Sequence, residues 1–138
     1  MSAHDLYDPR LVHHGKHPAH RGPLPDATCS GRADNPLCGD RITVALKLDG
    51  DRVVAARFEG RGCAVALASA SILTTLIDGA TLDAVAEARL TCARAVSPDG
   101  GPVTGELEAL VGVRAHPDRR RCATLAWEAL GLALGPTG

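Results

Sequence analysis

An alternation of apolar and polar residues near the middle of the chain predicts a β-hairpin. Across residues 42–48 every second residue is apolar, which is the period of a strand with one buried face. Asp49-Gly50 is a tight-turn signal, and the return strand is expected over residues 52–59. Antiparallel pairing would bring the residues before the first strand next to those that follow the second. The residues expected to face inward are Ile42, Val44, Leu46 and Leu48 on the first strand and Val54, Ala56 and Phe58 on the second.

Helical patterns follow the hairpin. Small apolar residues over positions 63–77 predict a helix, which Asp78-Gly79 ends. A second helix is expected over residues 81–95, with the threonine at its start as the cap. Pro117 opens the last helix, which is expected over residues 118–134. The chain therefore combines a small sheet with several helices.

The remaining segments carry weaker patterns. Within an amino-terminal segment of residues 1–20, positions 6–14 are expected to form a short helix. Residues 21–35 are rich in Pro, Gly and Asp and predict a loop, with an edge strand over residues 27–30. The Pro/Gly-rich residues 97–105 predict an exposed loop, and a short helical piece is expected just after it, around Leu107 to Val111.

Length and composition limit the classes of protein to consider. The 138 residues are 45% hydrophobic and are expected to form one domain that buries its own core. A net charge of −1 gives no electrostatic footprint for nucleic acid or for an anionic membrane. Pro, Gly or charged residues interrupt every apolar run before membrane length, and no signal segment is recognisable. We therefore expect a soluble, cytoplasmic protein.

Five cysteines without an export signal favour metal binding or thiol chemistry over disulfides. Cys38 and Asp40 flank Gly39 directly after an Asn-Pro turn signal, so that a thiolate and a carboxylate would converge and need a cation between them. Cys63 is expected at the amino terminus of one helix and Cys122 in the first turn of another, where the helix dipole favours thiolate. The sequence therefore predicts one site built from Cys38, Asp40, Cys63 and Cys122.

The other candidate ligands have plainer interpretations. Cys29 is expected to be incidental, and Cys92 is expected to act as a small apolar residue within a helix. Pro and Gly interrupt the histidine-rich residues 1–20, so these side chains are expected to be solvated or to cap helices. These histidines are His4, His13, His14, His17 and His20.

Three thiolates and one carboxylate suit zinc, or iron in a cluster. A purely structural zinc site usually has four Cys or His ligands, so the carboxylate of Asp40 gives a weaker and more exchangeable position. The arginine run at residues 119–121 either forms a solvated face or offsets the negative charge of the ligands. The donor set therefore favours a site that exchanges ligands over a purely structural zinc site.

Three motifs, in this order along the chain, resemble those of the IscU/SufU/NifU amino-terminal family of iron–sulfur cluster assembly proteins. Within this family the chain is similar to the SufU branch, because Arg121 stands where the scaffold branch has a histidine before its third cysteine, and residues 97–105 fit the SufU insertion. The motifs are Asn35-Pro36-Leu37-Cys38-Gly39-Asp40, Phe58-Glu59-Gly60-Arg61-Gly62-Cys63 and Cys122-Ala123-Thr124-Leu125-Ala126-Trp127.

The resemblance implies an α+β fold: a small antiparallel sheet of about three strands packed against several helices, with the metal site at one end. It further implies a zinc-dependent sulfurtransferase that accepts persulfide sulfur from a SufS-like, PLP-dependent cysteine desulfurase and relays it to downstream iron–sulfur assembly proteins. By this resemblance Cys38 would be the acceptor, while Asp40, Cys63 and Cys122 complete the zinc shell. A histidine of the desulfurase would take the zinc and free the Cys38 thiolate.

Two other functions remain open from the sequence. The first is a scaffold that uses the same ligands to assemble and transfer a [2Fe-2S] cluster; Arg121, which cannot supply an imidazole, is the feature against it. The second is an interaction domain that zinc stabilises, without sulfur chemistry. That function would make folding depend on the metal.

Overall fold

The predicted hairpin is the centre of a three-stranded antiparallel sheet in the computed structural model, which describes residues 8–37 and 39–135. The strands occur in the order β1-β2-β3 within the sheet, so the outer edges are formed by β1 and β3. The strand bounds are β1 Cys29–Asn35, β2 Asp40–Asp49 and β3 Arg52–Arg61. The turn between β2 and β3 contains Gly50, whose φ of 61° suits glycine.

Helices cover the sheet and pack on one another. Their bounds are α1 Pro9–Lys16, α2 Ala64–Ile77, α3 Leu82–Val96, a 3₁₀ helix Glu106–Ala115 and α4 Pro117–Leu134. Helix α4 packs on β1 and β2, α2 packs on β3 and on α4, and α1 packs on α2. Helix α3 lies against the 3₁₀ helix and α4. This is the α+β fold expected from the sequence.

The helix patterns are confirmed within about two residues over α2, α3 and α4. Thr81 caps α3, since its Oγ1 accepts a hydrogen bond from the backbone N–H of Ala84 at 3.2 Å. Residues 97–105 contain no helix or strand, as expected. Helix α1 begins at Pro9, with Asp8 as its N-cap, whereas residues 6 and 7 of the predicted helix lie outside the described residues.

Two expectations about the strands are wrong. The edge strand expected over residues 27–30 is instead β1, Cys29–Asn35, which pairs along its whole length with β2, so that the predicted loop ends before Cys29. On β3 the buried residue is Val53, not Val54, which is exposed. The register shifts between Lys47 and Leu48: Lys47 pairs with Ala55, Leu48 pairs with Val53, and Val54 has no partner on β2. Val53 therefore faces the core, as Ala56 and Phe58 do, although the alternation along the sequence would put it on the other face.

The core lies between the inner face of the sheet and the helices. Ile42, Val44 and Leu46 are fully buried on β2, which α4 covers, and Phe58 is fully buried on β3, which α2 covers. No helix in the described part of the chain is both long enough and apolar enough to cross a membrane.

Candidate metal centre

Three of the four predicted ligand residues meet at one end of the sheet. One ligand atom from each of Asp40, Cys63 and Cys122 lies within 4.8 Å of the other two. Asp40 is the first residue of β2, Cys63 follows β3, and Cys122 comes from α4. Cys38 lies outside the described residues, so its place in the site stays a prediction.

The hairpin brings Asp40 and Cys63 together as expected. The backbone N–H of Cys63 donates a hydrogen bond to Asp40 Oδ2 at 3.4 Å. Gly62 allows this approach, because a Cβ at that position would lie 3.2 Å from the Asp40 carboxylate and 2.9 Å from Cβ of Ala66. Cys63 is the N-cap residue of α2, so its thiol lies at the positive end of the helix dipole.

A tight loop leads into Asp40. The side chain of Asn35 is buried and accepts a hydrogen bond from the N–H of Leu37 at 3.2 Å, which is an Asx turn. The Asn35 carbonyl accepts from Gly39 N–H at 2.8 Å, and Gly39 has a φ of 75°. The Asn-Pro turn signal and the need for glycine at position 39 are therefore confirmed.

Cys122 comes to the site through the packing of α4 on α2. The prediction that it lies in the first helical turn is wrong, because α4 begins at Pro117 and Cys122 belongs to the second turn. The buried hydroxyl of Ser69 on α2 donates to the carbonyl of Ala123 at 2.5 Å and accepts from Nε1 of Trp127 at 3.0 Å. These bonds hold α4 beside α2 at the residue next to Cys122.

Arg119 is the functional residue that sequence reasoning did not single out. Its guanidinium lies against Cys63 and Cys122, and the negative charge of these thiolates, that of Cys63 first, raises the pKa of Arg119. The guanidinium therefore places a positive charge beside both sulfur ligands. A sequence signal could have found Arg119: it lies three residues before Cys122, so that the two share one face of the helix. Arg120 and Arg121 do not have this spacing.

A cleft opens beside the three ligands. It has a volume of about 580 Å³ and is lined by Asn35, Leu37, Arg119, Arg121 and Cys122, among others. Leu37 is 95% exposed, so an apolar side chain stands free at the entrance to the site. The loop of the first cysteine motif and the start of α4 thus form a surface that a partner can reach.

The two remaining cysteines lie elsewhere. Cys29 begins β1 opposite Leu46, at the far end of the strand from the Asn35–Asp40 pair. Cys92 is buried within α3, and burial raises its pKa to about 12. Both observations agree with the structural interpretation of these two residues.

The amino-terminal histidines do not join the centre within the part of the chain that the structure describes. His14 is nonetheless not solvated: Nδ1 lies 2.6 Å from Oγ of Ser71, and Nε2 lies 3.2 Å from Oε2 of Glu106. It thereby links α1 to α2 and to the 3₁₀ helix, which corrects the expectation for this residue. His4 lies outside the described residues.

The donor chemistry of Asp40, Cys63 and Cys122 fits a thiophilic divalent metal. Two thiols and a carboxylate gathered within one small volume are ligand types that zinc accepts, and iron in a cluster accepts thiolates as well. The fold and the site together define a small α+β protein with a mixed thiolate and carboxylate centre at one end of its sheet.

Comparisons with known proteins agree with this class. The family model described as NifU-like N terminal domain matches residues 6–135. The zinc-dependent sulfurtransferase SufU of Bacillus subtilis is 40% identical over 132 residues, covering 91% of this chain and 86% of that protein. The iron–sulfur cluster assembly scaffold protein IscU of Streptococcus pyogenes is 34% identical, covering 94% of this chain and 82% of that protein.

A solved structure shows the same fold. The crystal structure of a nitrogen-fixing NifU-like protein (N-terminal) from Brucella abortus has a TM-score of 0.84 and 25% sequence identity, covering 94% of this chain and 92% of that one. The chain belongs to the NifU-like N-terminal domain family of iron–sulfur cluster assembly proteins, as the three cysteine motifs predicted.

Proposed function

We propose that this protein is a zinc-dependent sulfur acceptor that takes persulfide sulfur from a PLP-dependent cysteine desulfurase on Cys38 and relays it to iron–sulfur cluster assembly. Asp40, Cys63 and Cys122 would hold the zinc together with Cys38. One observation carries the proposal: two thiols, a carboxylate and the Arg119 guanidinium meet in one group, which contains no imidazole among the described residues. The 40% identical SufU of Bacillus subtilis, named a zinc-dependent sulfurtransferase, supports the same function.

Each residue of the proposed site has a distinct role in this function. When bound, zinc would keep its cysteine ligands in the thiolate form at neutral pH. Arg119 offsets the negative charge of Cys63 and Cys122, and the dipole of α2 acts on Cys63 in the same direction. Asp40 is the hard ligand of the set and gives the weakest bond to a soft metal, so the shell as a whole can exchange a ligand.

The transfer itself is a thiol–persulfide exchange. The Cys38 thiolate attacks the terminal sulfur of the persulfide on the desulfurase, a new sulfur–sulfur bond forms on Cys38, and the desulfurase cysteine leaves as a thiolate. The proton of the persulfide passes with the transferred sulfur or to solvent, and no external oxidant or reductant is consumed. The exposed Leu37 and the cleft beside Cys122 leave this side of the molecule open to the partner.

A scaffold for a [2Fe-2S] cluster is the rival function, since a relative of 34% identity is named an iron–sulfur cluster assembly scaffold. The residue before Cys122 is Arg121, which lines the cleft and has no lone pair to offer a metal. The residues at this position therefore favour sulfur acceptance over cluster assembly.

The test begins with protein purified without air. We expect about one zinc per chain and no acid-labile sulfide. Incubation with a cysteine desulfurase and cysteine should then add the mass of one sulfur atom to the peptide that contains Cys38 and should accelerate desulfurase turnover. Iron and sulfide in near-equal amounts, with a visible chromophore that Cys63→Ala abolishes, would instead establish the scaffold function.

Matched variants separate the site from general thiol chemistry. Cys38→Ser should abolish sulfur uptake, whereas Cys29→Ser, which changes a half-buried cysteine at the far end of β1, should leave it unchanged. Asp40→Ala should alter zinc exchange and sulfur uptake more than the fold. An Asp40→Ala protein that is unfolded would support the third function, an interaction domain that zinc stabilises.

A further inference from the structure

A groove that shares no lining residue with the cleft at the metal centre has no role in the proposed function. It consists of two adjoining cavities of about 530 and 710 Å³, which share Arg89, Trp127 and Glu128. The smaller cavity lies between α3 and α4, and the larger one continues to β1, where Arg32 and Asp34 also line it. Trp127 lies at its base: the side chain is only 7% exposed, and its Nε1 is already bonded to Ser69. The indole can therefore offer the groove only apolar surface. We call this feature the α3–α4 groove.

Two leucines stand exposed on the two sides of the α3–α4 groove. Leu90 on α3 is 65% exposed and lines one cavity, and Leu132 on α4 is 62% exposed and lines the other. A single exposed leucine is ordinary on a protein surface, but two that flank a groove with an indole at its base form an apolar patch. Such patches mark interaction surfaces.

The groove also holds one cation and one anion that have no partner among residues 8–37 and 39–135. Arg89 and Glu128 line both cavities, yet neither forms an ion pair or a hydrogen bond with any residue that the structure describes. Gly131 leaves room for the guanidinium of Arg89, because a Cβ at position 131 would lie 2.9 Å from Nη2 of Arg89. A second molecule that presents a carboxylate and a guanidinium to this groove could pair with both groups.

We propose that the α3–α4 groove is the interface through which two copies of this chain pair about a two-fold axis. In such an interface, residue i of one copy meets residue j of the other and the reverse contact follows by symmetry. Arg89 would pair with Glu128 of the second copy, and Glu128 with Arg89 of the second copy, while Leu90 and Leu132 are covered. A surface that carries both charges is complementary to itself, which is the argument for a second copy over an unrelated protein.

This pairing leaves the candidate metal centre accessible. On α4, Gly131 comes nine residues after Cys122, which is two and a half turns, so the two residues point to opposite sides of the helix. The cleft beside Cys122 shares no lining residue with the groove. Each copy in the pair would therefore keep its own site open to a desulfurase.

Sedimentation velocity of the full chain over a concentration series, from low micromolar to several hundred micromolar, tests the proposal. We expect a reversible equilibrium between one and two chains in the wild-type protein. Arg89→Glu and Glu128→Arg should each weaken the association at least about tenfold, because each places like charges together at two symmetric contacts. The double variant Arg89→Glu with Glu128→Arg should restore the wild-type association.

Glu87→Arg is the matched control, since it reverses an exposed charge two residues from Arg89 on the other side of α3, and it should not change the association. Leu90→Ser should weaken the association without any change of charge, and circular dichroism should show that every variant is folded. A wild-type chain that stays monomeric at every concentration would overturn the proposal. So would a dimer that survives both single charge reversals.

Discussion

The described cysteines show how the surroundings of one residue decide its chemistry. Cys63 and Cys122 lie against the Arg119 guanidinium at the end of the sheet, where a positive charge faces both sulfur atoms. Cys92 lies in apolar packing within α3, where burial raises its pKa to about 12. The same side chain is therefore a candidate ligand in one place and an inert apolar residue in the other.

The raised pKa of Cys92 has a consequence for stability at high pH. In the unfolded chain this thiol ionises near its ordinary value of 9.0, whereas in the folded chain it stays protonated to about 12. Between these values the unfolded state binds fewer protons, so the free energy of unfolding falls as pH rises, with a limiting slope of about 1.4 kcal/mol per pH unit from this group. Cys92→Ala should remove that slope.

Urea unfolding at several pH values from 8 to above 10, with reductant and excess chelator so that the metal ligands are equivalent in both proteins, measures the effect. Only the difference in slope between wild type and Cys92→Ala is compared, because the substitution also lowers stability by a constant amount. Thr91→Ala, at the neighbouring position, should keep the wild-type slope. Parallel curves for wild type and Cys92→Ala would contradict the assignment.

At the scale of elements, the close packing of β1 against α4 sets where Cys122 lies. Gly31 on β1 lies directly under the backbone of α4, where an added Cβ would collide with the carbonyl oxygen of Ala129 and the amide nitrogen of Ala133. Backbone atoms cannot move aside as a flexible side chain can. The glycine therefore lets the helix approach the strand closely.

Gly31→Ala should lower the free energy of unfolding by about 3 kcal/mol, since α4 must shift away from the sheet to admit the methyl group. Chemical denaturation measures this loss. The matched control is Ser30→Ala, the exposed neighbour on the same strand, which should change stability little. Equal stabilities for the two variants would show that α4 does not rest on Gly31.

At the scale of the whole molecule, the candidate metal centre and the core are separate. The centre joins β2, the start of α2 and α4 at one end of the sheet, whereas the fully buried side chains such as Phe58, Leu125 and Leu130 fill the space between sheet and helices. A core of this size does not depend on metal ligands for its existence. The metal then adds stability without deciding the fold.

Removal of zinc by a chelator should therefore leave the far-ultraviolet circular dichroism spectrum unchanged and lower the thermal midpoint. At a free zinc concentration a thousandfold above its Kd, zinc binding raises the free energy of unfolding by about 4 kcal/mol. Zinc added back should restore the midpoint, and Cys29→Ser should behave as the wild type does. Loss of the helical spectrum on chelation would identify the metal as a condition of folding and favour the zinc-stabilised interaction domain.

Sequence reasoning found the elements and the ligand candidates but not every detail of register or contact. The alternation over β2 and the turn at Gly50 predict the hairpin correctly, yet no local pattern reveals the register shift that buries Val53 in place of Val54. The arginine run was recognised near the site and both Arg119 and Arg121 line the cleft, but only the packing of α4 shows that Arg119 contacts the thiols.

The sequence by itself determined the family, the α+β class and the motifs that carry the cysteines, because these depend on local periodicity, turn chemistry and the order of residues along the chain. Only the tertiary structure decided which groups meet: Asp40, Cys63 and Cys122 at one end of the sheet, and Arg89 and Glu128 in the α3–α4 groove, neither paired with a residue that the structure describes. The physical reason is that such meetings depend on how β1, α2, α3 and α4 pack, and packing is set by side chains far apart in the chain, among them Gly31 and Ser69.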